Sequence, residues 1–104
     1  MERYPEALAD FDRAIDLDPK YTGAIASRGE TYRVMERYPE ALADFDRAID
    51  LDPQDAWALA SRGETYRLME RYPEALADFD RAIDLDPKYT GAVSYTHLTL
   101  PTKA

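Results

Sequence analysis

Apolar residues along this chain recur at steps of three and four, the spacing of a helix face. In 22–35, Ile25, Gly29, Tyr32 and the Val34–Met35 pair fall along one side, which predicts a helix over 23–35. A short turn over 36–38 follows, and Pro39 suits the first position of a second helix, where its missing N–H costs nothing. Glu40 in that first turn favours the positive end of the helix dipole. Ala41, Leu42, Phe45, Ala48, Ile49 and Leu51 form an apolar stripe, with Asp44, Asp46, Arg47 and Asp50 mostly on the other side. Pro53 cannot continue the helix and restricts the residue before it, so this helix is predicted to stop near 51–52. The same pattern predicts helices over 56–69 and 73–86. Thr22 and Asp55 are the candidate N-caps.

The pairing of a first helix (A) with a second (B) repeats almost literally. The string MERYPEALADFDRAIDLDP begins at Met1, at Met35 and at Met69, a period of 34 residues. Such a period points to one supersecondary unit stacked on copies of itself. The expected fold is all-α, an α-solenoid of antiparallel helix pairs with about five helices and an irregular C-terminal tail. Gly29 and Ala41 lack bulk, so helices A and B are expected to approach closely there, with Phe45 and Tyr32 beside the contact. Leucine at Gly63 should overpack that seam.

Charge and composition narrow the function. The formal net charge is −8 and a third of the residues are charged, a surface that repels phosphate backbones and anionic lipid. Nucleic acid and membrane are therefore not expected partners, and a basic peptide is electrostatically better suited. The chain has no cysteine, hence no disulfide framework or thiolate metal site. With no apolar run of spanning length and no signal-peptide core at the start, a cytoplasmic setting is expected. His97 is the single histidine. No catalytic constellation, metal site or cofactor loop emerges, so the expectation is a non-enzyme with no cofactor. The acids Asp44, Asp46, Asp50 and Asp52 scatter around a helix and lack a calcium loop's glycine.

These residues resemble the tetratricopeptide repeat. The family's small residue and following tyrosine in helix A match Gly29 with Tyr32 and Gly63 with Tyr66. Its tyrosine before helix B matches Tyr38 and Tyr72. Helix B's alanine, aromatic and second alanine match Ala41, Phe45 and Ala48, then Ala75, Phe79 and Ala82, and its closing proline matches Pro53 and Pro87. The resemblance runs from residue 1 to about residue 92. Arg28 and Arg62 stand where a bulky apolar residue is usual, with stems able to pack and guanidinium groups reaching water or a neighbouring Asp. Glu36 and Glu70 replace the glycine common in the turn. Ile25 and Leu59 stand where many members carry a tryptophan.

The resemblance implies a concave groove lined by helix A: Gly23, Ala26, Glu30, Arg33 and Val34, then Trp57, Ala60, Glu64, Arg67 and Leu68. It implies a protein–protein interaction scaffold that holds a peptide or partner helix, or alternatively a structural spacer or self-assembling array. Trp57 either anchors a partner or packs on Tyr89 or an adjacent helix. Glu30–Arg33 and Glu64–Arg67 read as helix-neighbour pairs supporting the surface. The sequence has no asparagine, so the lysine–asparagine carboxylate clamp of one subclass does not fit this fragment; a basic peptide with an apolar anchor does.

The domain reading is a helix B of a truncated repeat at 1–21, repeats at 22–55 and 56–89, and the start of another at 90–92. Residues 93–104 resemble translated sequencing adaptor and are expected to be a non-native tail. The chain thus reads as a fragment of a longer array. Its last helix B is expected to expose Phe79, Ala82 and Ile83, and self-association through uncapped ends is expected.

Overall fold

A computed structural model of the chain describes residues 3–89, and the expectations for 90–92 and for the adaptor-like 93–104 lie outside them. The described residues form α1 (Tyr4–Leu17), α2 (Thr22–Val34), α3 (Tyr38–Leu51), α4 (Ala56–Leu68) and α5 (Tyr72–Leu85), then a short 3-10 turn at Pro87–Tyr89. There is no strand among them. The chain divides into two compact units, Met1–Pro53 and Gln54–Ala104. In the first, α2 packs on both α1 and α3; in the second, α4 packs on α5.

The helix bounds follow from local chemistry, with several ends shifted by one residue from the expected positions. Asp55 caps α4 as expected, its side chain accepting from the Ala58 N–H at 3.1 Å. Thr22 does not cap α2. The helix starts one residue earlier than the spacing predicts, so Thr22 lies inside it and Tyr21, which makes no side-chain capping hydrogen bond, occupies the N-cap. Likewise α3 and α5 begin at the tyrosine, which moves Pro39 and Pro73 to the second position. A proline is tolerated there because the first-turn N–H groups have no intrahelical acceptor. Asp52 is extended at the end of α3, with φ −143° and ψ 89°. That is the conformation a following proline imposes.

The turn inside each helix pair is tight despite lacking glycine. Glu36 and Glu70 take the left-handed conformation, with φ of 63° and 62°. Around the first turn, the Glu36 N–H donates to the Arg33 carbonyl at 2.9 Å and the Arg37 N–H to the Tyr32 carbonyl at 2.8 Å. The pattern recurs from Glu70 to Arg67 and from Arg71 to Tyr66. This is the Schellman arrangement, which satisfies the last carbonyls of the helix and usually uses glycine.

Each unit carries its own core. Ile15, Ala24, Ile25, Ala26, Ala41, Phe45 and Ala48 are buried in the first, and Ala58, Leu59, Ala60, Ala75, Phe79 and Ala82 in the second. The seam expected at the glycines is present. A Cβ on Gly29 would lie 3.0 Å from the Phe45 ring, and one on Gly63 the same distance from the Phe79 ring. A Cβ at either position would force the ring to give way by a few tenths of an ångström. Burial of each ring is worth about 3 kcal/mol. Phe79 and Ala82 are therefore not exposed, as the stripe suggested: they face α4 within their own pair, and Ile83 is half-buried.

Candidate functional site

The candidate surface lies on the first helix of each pair, α2 and α4, and each is described on its own unit. Along α2, Gly23 and Val34 are exposed, with Val34 at 46% of its full accessibility. Glu30 and Arg33 between them are half-buried. Arg33 donates from Nε to Glu30 Oε1 at 3.1 Å and from Nη2 to Oε2, a forked pair one helical turn apart. Ala26 has no accessible surface, so it packs beneath this face and offers nothing to a partner.

The α4 face repeats the design with larger apolar groups. Trp57 and Leu68 are exposed at 41% and 37%, bracketing half-buried Glu64 and Arg67. Arg67 grips Glu64 through Nε at 2.9 Å and Nη2 at 2.5 Å. Ala60 retains 9% and lies at the floor. The α4 face is thus an ion pair flanked by two exposed apolar side chains, and the α2 face an ion pair beside one, Val34. Because the glutamate neutralises the arginine locally, neither face presents a lone charge. The alternative of Trp57 packing on Tyr89 lies outside the described side chains.

The residues that position α2 and α4 were only half legible in the sequence. Arg28 chooses Asp over water: it donates from Nε to Asp44 Oδ2 at 2.9 Å and from Nη2 to Oδ1 at 2.8 Å. Its Nη1 also reaches Asp12 on α1 at 2.8 Å. Arg62 grips Asp78 with the same fork, both bonds at 2.8 Å. Asp44 and Asp78 are buried, and such carboxylates need paired donors. The bonds from Arg28 to Asp44 hold its guanidinium above its ordinary pKa; burial opposes this and Asp12 adds to it. The available signal was an Arg-Gly pair recurring at the repeat period, with an Asp sixteen residues beyond the arginine.

A second repeated cluster sits at the turn. The Arg37 guanidinium lies over the Tyr32 ring at 4.8 Å, and Arg71 over Tyr66 at 5.0 Å. Arg37 also donates to Glu40, and Arg71 to Glu74, which lowers both glutamate pKa values. Among the described residues no three His, Cys, Asp or Glu side chains gather to hold a metal, and no helix is long and apolar enough to cross a membrane. His97 lies outside them.

No curated protein matches the chain. Solved structures do. The first TPR of Spaghetti (RPAP3), solved bound to the HSP90 peptide SRMEEVD, superposes with a TM-score of 0.87 at 22% identity, covering 95% of this chain and 81% of that one. The Arabidopsis OM64 TPR domain gives 0.86 at 23% identity, with 93% and 83% covered. MamA from Desulfovibrio magneticus RS-1 gives 0.80 at 25% identity; 92% of this chain covers 56% of that one. The first two likenesses concern the fold alone. Membership rests on sequence: residues 21–88 match the family model described as "Tetratricopeptide repeat", and the chain belongs to that family.

Proposed function

We propose that the chain is a non-catalytic scaffold whose exposed faces, on α2 and on α4, each offer a surface to a peptide or partner helix. The tetratricopeptide fold typically mediates protein–protein interaction, and a structural neighbour is solved with a peptide bound. The observation that carries the reading is the exposure of Val34, Trp57 and Leu68 beside the Glu30–Arg33 and Glu64–Arg67 pairs. Exposed apolar side chains flanked by satisfied ion pairs offer contact area without an unpaired charge to desolvate. Trp57 is the anchor, being large, rigid and able to donate one hydrogen bond. The net charge of −8 favours a basic peptide with one apolar side chain. A cytoplasmic setting completes the reading.

The test is fluorescence anisotropy with a library of labelled peptides of graded charge. Basic peptides carrying one aromatic or leucine should bind best, and Trp57→Ala should weaken them by about tenfold or more. Equal binding of acidic and basic peptides, or indifference to Trp57, would reject the reading. The alternative, a self-assembling array, is favoured by Leu17, which is 82% exposed at the end of α1. A dilution series by size exclusion distinguishes it: an array loses mass on dilution, whereas a scaffold keeps one size.

A further inference from the structure

The turns from α2 to α3 and from α4 to α5 keep a glutamate at a position that glycine suits best. Glu36 and Glu70 stand at φ 63° and 62°, where any side chain is strained. Strain of this kind persists where the side chain that causes it is used. Both glutamates are exposed, and their charge stands out from the surroundings. The stretch 30–40 holds three acids, Glu30, Glu36 and Glu40, against two bases, Arg33 and Arg37. Arg33 is forked onto Glu30, and Arg37 donates to Glu40. Glu36 has no side-chain partner among the described residues, so it carries the charge that the local arginines leave unbalanced. The copy over 64–74 behaves alike: Arg67 takes Glu64, Arg71 takes Glu74, and Glu70 remains. The negative end of a helix dipole precedes each of them, since α2 ends at Val34 and α4 at Leu68. Those two residues are also exposed apolar flanks of the candidate faces.

We propose that Glu36 and Glu70 are partner-binding residues, each receiving an arginine or lysine of a basic peptide whose neighbouring apolar side chain lies on Val34 or Leu68. The inference rests on the scaffold reading above and adds to it the group that recognises the peptide's charge. Glu30, Glu40, Glu64 and Glu74 already hold an arginine each, and turning to a partner would leave that arginine unpaired. A carboxylate with both oxygens free accepts a guanidinium fork or an ammonium, and the helix end beside it adds attraction for a cation. Each unit carries one such site. The strained backbone is then explained by the carboxylate it presents, which glycine would remove.

The probe is the fluorescein-labelled peptide Gly-Ser-Gly-Arg-Leu-Arg-Gly-Ser-Gly, titrated with the full chain at low salt beside the same peptide with citrulline for arginine. Citrulline keeps the shape of the side chain and removes its charge. The arginine peptide should bind about fivefold more tightly, the upper end for an exposed pair at low ionic strength. Glu36→Gln with Glu70→Gln in one chain should abolish that preference and leave the affinity for the citrulline peptide unchanged. A matched control, Asp50→Asn with Asp84→Asn, removes the same charge from exposed positions on α3 and α5 and should keep the preference. Glu36→Lys with Glu70→Lys should instead favour a peptide with glutamate in place of arginine. Val34→Ser with Leu68→Ser should weaken the arginine and citrulline peptides alike. Persistence of the preference in the Glu→Gln chain, or its equal loss in the control, overturns the proposal and leaves the scaffold reading standing. Equal affinity of the original chain for the two peptides, or indifference to the Val34 and Leu68 changes, overturns it as well. Absence of saturable binding by either peptide removes both readings together.

Discussion

Helix α1 and helix α3 have the same fourteen residues and different surroundings. Phe45 has no accessible surface, yet Phe11 is half-buried; Leu51 is 39% exposed, yet Leu17 is 82% exposed. Sequence, propensity and amphipathic stripe are identical, so the difference comes from the partner helix alone. A repeat helix has no burial of its own. Its neighbours supply it, and stability is then close to a sum of pairwise interfaces.

The sharpest way to break this comparison is to remove the same side chain from both helices. Phe45→Ala or Phe79→Ala should cost about 3–5 kcal/mol, the usual price of a large core cavity. Phe11→Ala should cost less than about half of that, because its ring already meets solvent. Urea denaturation of the three variants measures the contrast. Equal losses would mean that α1 is as well covered as α3, and the comparison would fail.

The carboxylates give a second, somewhat smaller contrast. Asp44→Ala leaves Arg28 without its main partner beneath a protein surface, where its side chain keeps only 21% exposure. The expected cost is about 2–4 kcal/mol, toward the lower end for a broken buried pair because Asp12 still holds one nitrogen. Asp10→Ala, the matching change on α1, should stay within about 0.5 kcal/mol of the original. Gly63→Leu belongs next, at about 1–3 kcal/mol, since the added side chain must displace the Phe79 ring. An unchanged melting temperature for that variant would remove the glycine seam from the account.

Most of the helical layout was legible because punctuation and period agree. Pro53 and Pro87 mark ends, the hydrophobic step marks faces, and the 34-residue repeat checks each assignment against its copy. Thr22 failed as a cap because capping chemistry identifies a residue type, while the helix start is set by where the backbone turns. Phe79 was misplaced for a different reason: an apolar stripe shows that a face is buried but not which neighbour buries it. Ala26 reads in sequence like groove lining, since a small residue suits both an open floor and a closed core. The Arg28–Asp44 fork was visible only as two options for a guanidinium, because its geometry needs two helices at once. Of the candidate faces, the ion pairs and the apolar flanks were readable from helical spacing; their exposure was not.

The two turns extend the comparison to backbone strain. Glu36 and Glu70 hold left-handed φ values that cost a non-glycine residue about 1–2 kcal/mol. Glycine at either position relieves that strain, offset by about 0.4–1 kcal/mol of extra freedom in the unfolded chain. Glu36→Gly and Glu70→Gly should each raise stability by about 0.5–1 kcal/mol. Both turns have the same geometry, so their gains should be equal and additive. A loss at either would show that the glutamate side chain contributes something its backbone conformation conceals.

The smallest effect concerns acid. Arg37 donates to Glu40 at 3.0 Å and Arg71 to Glu74 at 2.9 Å, with all four side chains partly exposed. These bonds lower both folded-state glutamate pKa values below the usual glutamate range. Where the folded group binds protons less readily than the unfolded one, stability rises with pH. The contribution is therefore fully present above the unfolded glutamate value and is lost as pH falls through the lower folded value. Urea midpoints measured from neutral pH down through that window should decline less steeply for Glu40→Gln and Glu74→Gln than for the original chain. Added salt should shrink the difference, since exposed pairs are screened. An acid limb that both substitutions leave unchanged would remove these two pairs from the account of the pH dependence.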